Sequence, residues 1–422
     1  MQYARTSIER SLLTIMMKPF IHITSEIGKL KKVMLHRPGR ELENLVPEEL
    51  GRLLFDDIPY LKIAQEEHDN FAKVLRDRGV EVYYLNDLLA EVLKDDKLRD
   101  GFLREILKES RVASEPVYDA LYEYLSKKPV MEMIECIEAG VRKDEVEVSD
   151  TNSLSYLIDN SYLFYLDPMP NLYFTRDPSA AMADGLTINR MRMGARRRES
   201  LFMEYIYRNH PSFAQTGARL FYDRDMENNM EGGDELVLSD KVLAVGCSQR
   251  TSAAAIEILA RNLLSQGVFE RVLVFQIPEC RAFMHLDTVF TMVDYDKFVV
   301  HPGVEGPLNV YEITPGAKNQ LKVRYIHDVL DHVLAAALKL PKVDLIKCGG
   351  GDRIISGREQ WNDGSNMLAV APGKVISYER NYVSNSVMRK HGIDVTTIPS
   401  SELSRGRGGP RCMSMPLNRE EP

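Results

Sequence analysis

Apolar and polar positions along this chain fall into one recurring unit. Two short apolar runs flank a turn, an amphipathic stretch follows, and a further apolar run closes the unit. The paired runs at Ser179–Asn189, Leu236–Gly246, Val289–His301 and Met367–Tyr378 read as β-hairpins. They turn at Asp184-Gly185, Ser239-Asp240, near Tyr295-Asp296 and at Pro372-Gly373, where small and polar residues favour tight bends. Helical spacing then predicts helices over Arg196–Arg208, Ser252–Leu264 and Asn385–Lys390. After the third hairpin the predicted helix comes later, at Ile326–Leu338.

Each helix gives way to a strand: Val80–Tyr84, Arg271–Phe275 and Ile393–Val395 follow glycines, and Lys342–Ile346 follows Pro341. Near the N-terminus, Lys32–Leu35 and Asp69–Arg78 supply the strand and helix of a comparable unit. Roughly five units, each of about 50–75 residues, suggest modules that bury their faces around a common axis. A doubly wound sheet also alternates strands and helices, but its strands would be mostly parallel, and the hairpins argue against it.

The stretch 86–160 differs. It is rich in Leu, Glu, Lys, Asp and Arg at helical spacing, as in Leu103, Ile106 and Leu107. It reads as a helical bundle inserted into an α/β body that spans residues 18–422, with its charges on solvated faces. Met1–Met17 places Arg5 and Arg10 ahead of a short apolar piece without a small-residue cleavage site. It reads as a disordered extension, with a transit peptide as the alternative.

Composition narrows the class. In 422 residues, 44% are hydrophobic and 27% charged, which suits a soluble globular protein. The net charge of -8 disfavours non-specific nucleic-acid binding and suits a pocket for a cation. No apolar run approaches the roughly 20 residues needed to span a bilayer. The five cysteines are odd in number and have no CxxC spacing. That disfavours a disulfide framework or zinc ribbon and predicts a reducing, cytoplasmic setting.

The candidate chemistry clusters at loop-like positions. Cys412 follows Gly406, Gly408, Gly409 and Pro410, a composition that excludes a helix or regular strand. A thiol on such a loop can be exposed, and Arg405, Arg407 and Arg411 can lower its pKa. Phe174–Asp177, Glu231–Asp234 and His285–Asp287 bring an imidazole and carboxylates at turn positions. His285 and Asp287 would share a face on a strand. Alone, each cluster could equally be a strand end or turn. A metal reading lacks HxxxH or paired CxxC spacing, and Gly349–Asp352 lacks the ending of a phosphate loop. Cys136, Cys247, Cys280 and Cys348 read as core residues. A thiol, an imidazole and several acids suggest nucleophilic catalysis on a cationic substrate.

Taken together, Ser25–Leu30, Leu53–Asp57, Asn171–Asp177, Ala195–Arg197, Met230–Asp234, Gln249–Ser252, His285–Asp287 and Arg405–Pro416 resemble the arginine deiminase family of the guanidino-group-modifying superfamily. The resemblance runs from about Lys18 to Arg419, and the order and spacing of the motifs make it specific. It implies a five-bladed, pseudo-symmetric α/β propeller with a helical insert, and hydrolysis of L-arginine to L-citrulline and ammonia without metal or organic cofactor.

By resemblance, Cys412 is the nucleophile and His285 the general acid/base. Asp177 and Asp287 grip the guanidinium, and Glu231 is a further acid beside the reacting carbon. Arg196, Arg250 and Arg407 hold the substrate carboxylate and order the loop. Asn171, Phe174, Leu54 and Gly406 are other pocket positions. Arg411 departs from members that carry histidine before the nucleophile, and Met1–Met17 has no counterpart. The resemblance also implies a dimer or tetramer. An agmatine deiminase, an amidinotransferase and a non-catalytic arginine-binding protein on the same scaffold are the alternatives.

Overall fold

A computed structural model describes residues 19–422 apart from 111, 113, 149–153, 155–161, 279–282, 305 and 307. The expected extension at 1–17, most of the last dozen residues of the expected insert, and Cys280 lie outside the described residues.

Among the described residues the chain builds five three-stranded units of one design, and no sheet closes on itself. In each, the first strand is antiparallel to the second, and the second is parallel to the third. One unit is Ser179–Met182, Gly185–Ile188 and Arg219–Tyr222. The next is Glu235–Ser239, Val242–Cys247 and Arg271–Gln276. Two more are Phe290–Asp294, Lys297–Val300 and Asp344–Lys347, and Leu368–Ala371, Lys374–Tyr378 and Asp394–Ile398. The remaining unit joins both chain ends: C-terminal Met415–Arg419 lies beside Leu30–Leu35, which pairs with Glu81–Tyr84. Separate mixed sheets rule out a single doubly wound sheet.

A helix links the second and third strands of every unit, because parallel strands need a long crossover. Ala253–Ser265 shows why such helices form. Ser252 Oγ caps its start by accepting the Ala255 N–H at 3.3 Å. Ala255, Ile256, Leu259, Ala260, Leu263 and Leu264 then bury one apolar stripe. Four further helices, Leu85–Val92, Asp96–Glu109, Glu115–Ser126 and Val130–Ala139, follow the first unit.

All four expected hairpins form. The expected helix at Ile326–Leu338 is corrected: only Leu330–Leu338 is helical. Ile326 belongs to a strand, Leu321–Asp328, paired residue by residue with Leu308–Pro315. That hairpin adds two strands to the Arg271–Gln276 edge. Ile326 fits the apolar spacing of the following helix, but cross-strand pairing claims its backbone first.

The units position the site through one repeated feature. Immediately ahead of each first strand lies a turn, and these five turns carry Asp177, Glu231 with Asp234, His285 with Asp287, Asp363 with Asn366, and Cys412.

Candidate active site

Cys412 sits on the turn entering Met415–Arg419, with its N–H donating to Asn366 Oδ1 at 3.1 Å. Its carbonyl accepts the Arg176 N–H at 3.2 Å. These bonds pin the nucleophile turn to two other units. The side chain is 5% exposed, so the thiol is more enclosed than its glycine-rich loop suggests. Gly406 leaves no room for a Cβ against the Tyr173 hydroxyl and the Phe55 and Phe174 rings. A Cβ on Gly233 would stand 2.7 Å from the His285 ring and 2.9 Å from Asp177 Oδ1. Glycine at these positions lets the turns converge.

His285 caps a short 3-10 turn, Leu286–Thr288, and Asp287 lies within it, so the two do not share a strand. His285 Nε2 is 2.8 Å from Glu231 Oε2, and its Nδ1 is 3.8 Å from Asp177 Oδ1. Burial alone would lower the imidazole pKa. Asp177, the Glu231 hydrogen bond and Asp234 override it and raise the pKa to about 9. Burial likewise opposes ionisation of Glu231, but Arg250 and His285 bring that carboxyl down to about 2. Asp234 binds the Leu286 N–H at 2.8 Å and the Ser248 hydroxyl at 2.7 Å, anchoring the histidine turn.

Two aspartates flank the thiol. Asp177 Oδ2 takes Arg196 Nη1 at 2.7 Å. Asp287 Oδ2 takes Arg411 Nη1 at 2.8 Å and lies 3.6 Å from Cys412 Sγ. The second oxygen of each, Oδ1, is buried without a hydrogen-bond partner among the described residues. Burial first, then Asp287, Asp177 and Asp363, push the Cys412 thiol well above its ordinary range, with Arg411 only partly opposing. The expected lowering by nearby arginines is thus reversed. Arg405 turns outward to Asp57 and Glu402 instead.

One cavity is lined by Cys412, His285, Asp177, Asn171, Phe174, Leu54 and Gly406, together with Arg196, Arg250 and Arg407. Asp56, Met284 and Thr288 complete the lining. Glu231 and Asp287 stand just behind this wall, fully buried. Asn171 Nδ2 donates to the Leu53 carbonyl at 2.7 Å, next to Leu54 in a left-handed conformation with φ 62°. Arg250 reaches Glu231 at 3.5 Å, and Arg407 stacks 3.8 Å over the Trp361 ring near Asp56. Arg196 is engaged by Glu199 and Asp177.

Sequence reasoning missed Asn366 and Asp363, and also the part that Glu26 and Arg411 play. Asn366 anchors the nucleophile turn, and Asp363 adds a buried carboxyl that desolvation raises to about 7. Their signal was the turn-rich Asn362–Asn366 ahead of a hairpin. Glu26 and Arg411 form a buried pair behind Asp287, and nothing local announces it. Of the cysteines expected in the core, Cys136 and Cys348 are buried and Cys247 is half-buried.

A buried thiol, an imidazole and paired acids around one cavity are the equipment of covalent catalysis on a small cation. The family model described as arginine deiminase matches residues 51–419. An arginine deiminase of Latilactobacillus sakei subsp. sakei (strain 23K) is 55% identical over 405 residues, covering 95% of this chain and 98% of that protein. One from Bacillus thuringiensis subsp. konkukian (strain 97-27) is 57% identical over 410 residues, covering 96% and 100%. The chain belongs to the arginine deiminase family. Among solved structures, an amidinotransferase, SxtG, from Microseira wollei aligns with TM-score 0.55 at 13% identity, covering 96% of this chain and 98% of that one. DDAH from Pseudomonas aeruginosa, complexed with citrulline, aligns with TM-score 0.52 at 14% identity, covering 92% and 99%. These last two bear on the fold alone.

Proposed function

We propose that this cavity hydrolyses L-arginine to L-citrulline and ammonia through a covalent intermediate on Cys412. The observation that carries the reading is the pair of unpartnered, buried oxygens, Asp177 Oδ1 and Asp287 Oδ1, beside one thiol. Two anionic acceptors of this kind suit the N–H edges of a planar guanidinium. They would hold its central carbon about 3–3.5 Å from the sulfur.

The charges set the order of events. In the free enzyme the carboxylates keep the thiol protonated, while His285, raised to about 9, is an imidazolium at neutral pH. A bound guanidinium offsets the carboxylate charge, so the thiol loses its proton to solvent and the thiolate attacks the carbon. The imidazolium gives its proton to the departing nitrogen, ammonia leaves, and a thiouronium remains. Neutral His285 then takes a proton from water, whose oxygen attacks the same carbon. Collapse of that adduct passes its hydroxyl proton to the departing sulfur, which restores the thiol and releases citrulline. Glu231 holds the imidazole. Arg250 and Arg407, at the cavity wall, suit the substrate carboxylate. Agmatine lacks that carboxylate and would forgo its contacts with these arginines, which favours arginine.

The same reading arranges the five units about one axis as a propeller and treats residues 18–422 as one catalytic body with a helical insertion at 86–160. No helix among the described residues is long and apolar enough to cross a membrane. A cytoplasmic homo-oligomer, dimer or tetramer, binding arginine rather than nucleic acid or membrane is the expected form. Citrulline release by wild type beside Cys412→Ser tests the core of the proposal, with mass spectrometry of acid-quenched enzyme seeking the sulfur-linked carbon. Undiminished turnover in Cys412→Ser, or N-carbamoylputrescine from agmatine at the faster rate, would sink it.

A further inference from the structure

The helix Leu61–Arg76 belongs to the unit that joins both chain ends, and it buries a stripe that includes Ala64, Phe71, Ala72 and Leu75. Glu67 is the one acid in that stripe and is 4% exposed. A carboxylate this deeply buried is stable only where donors surround it. Glu67 has four, and all come from one distant turn. Its Oε1 accepts the Ser401 N–H and, at 2.7 Å, the Ser401 hydroxyl. Its Oε2 accepts the N–H groups of Glu402 at 3.0 Å and Leu403 at 2.9 Å.

That turn opens the 3-10 helix Leu403–Gly406. The first N–H groups of a helix have no partner inside it, and Glu67 supplies their acceptor. The helix is four residues long, so whatever fixes its start also fixes its end. It ends on Arg407, whose backbone is left-handed at φ 60°. A residue with a side chain holds that conformation only where its surroundings impose it. The Arg407 N–H closes on the Ser404 carbonyl at 3.2 Å, and the Tyr173 hydroxyl adds a bond to the Leu403 carbonyl at 3.2 Å. Gly406 and Arg407 both line the Cys412 cavity, whereas Glu67 does not.

We propose that Glu67 is a positioning residue for substrate recognition: from outside the cavity, its carboxylate sets the aim of Arg407 at the substrate carboxylate. The inference rests on the reading of the cavity as an arginine site and deepens it. A carboxylate is required here. Both of its oxygens accept, whereas the amide of a glutamine would turn a donor toward the N–H groups of Ser401 or of Glu402 and Leu403. The turn would then shift, and Arg407 with it.

Calorimetric binding of L-arginine and of agmatine to full-length Cys412→Ser, with and without Glu67→Gln, tests this. Glu67→Gln should weaken arginine binding by about tenfold or more, the scale of one misaligned charge-assisted bond. Agmatine has no carboxylate and should bind both proteins equally. With Arg407→Ala also present, Glu67→Gln should no longer change arginine binding, because residues that act through one another are not additive. In turnover by the chain with Cys412 intact, Glu67→Gln should raise KM for arginine and leave kcat within about threefold. Glu67→Asp keeps both acceptor oxygens and should recover part of the loss, with the fold of each variant checked by circular dichroism. Unchanged arginine affinity in Glu67→Gln, an equal loss for agmatine, or a full loss persisting beside Arg407→Ala would each overturn the inference. Absence of arginine binding to Cys412→Ser would overturn it together with the reading of the cavity. Arginine bound but no citrulline released by wild type would overturn the proposed reaction alone, with the binding series still deciding the role of Glu67.

Discussion

Asp177 and Asp287 face one thiol from two sides, yet they are held by different kinds of clamp. Behind Asp287, Arg411 is 1% exposed and bonds Glu26 through Nε and Nη2 at 3.0 and 3.2 Å and the Glu235 carbonyl at 2.8 Å. Behind Asp177, Arg196 lines the cavity and sits at the end of a turn whose Met193 is 37% exposed. The outer acids differ as well. Burial opposes ionisation of Glu26, but Arg411 and Arg176 bring it to about 2. At Glu199, burial outweighs Arg196 and the pKa rises to about 7. One clamp is locked into the fold. The other sits near a protonation balance and on the cavity wall, where the proposed substrate carboxylate would compete with Asp177 and Glu199 for it.

Breaking the locked clamp should have the largest effect. Arg411→Met strands Glu26 and Asp287, and urea denaturation should show a loss of about 3–5 kcal/mol. Arg196→Met should cost clearly less at pH 7, because Glu199 can take a proton close to that pH. Equal losses would abolish the distinction. Next in size, Asp287→Asn and Asp177→Asn should each lower kcat/KM for arginine on the order of 10²–10³-fold, since each removes one anionic acceptor at the reacting group.

Two pH experiments sharpen the comparison further. His285 is raised from 6.5 to about 9 by Asp177, Glu231 and Asp234 against the cost of burial. Its stabilising contribution is complete below about pH 6.5 and is lost as pH climbs through 9. Thermal melts should therefore show stability declining across that window, with a shallower decline in His285→Asn. The smallest effect is expected at Arg196. Protonation of Glu199 releases the guanidinium, so KM for arginine should fall a few-fold as pH drops through 7. Glu199→Gln should remove that dependence, and a persisting slope would assign it elsewhere.

Much of the scaffold was legible locally. Hairpins such as Leu236–Gly246 show two short apolar runs around a turn, and helices such as Ala253–Ser265 show an apolar stripe behind a capping serine. Both signals are short-range. The hairpin at 308–328 was misread because Ile326 continues the spacing of the helix beyond it, and only pairing with Val310 decides its state. In the site, glycine-rich and acidic turns marked where chemistry sits. At Cys412 the sequence offers arginines and carboxylates that act in opposite directions; burial, which no linear pattern records, is the largest influence and tips the thiol upward.

Sequence alone determined which turns carry reactive groups and which family's spacing they follow. Those properties reside in contiguous residues. Tertiary structure alone decided that Arg411 clamps Asp287 and Glu26, partners 124 and 385 positions away. It likewise decided that Asn366 steadies the Cys412 turn from 46 positions away. Electrostatics and hydrogen bonding act over ångströms of space, and a linear pattern holds no record of which distant residues the packed units bring together.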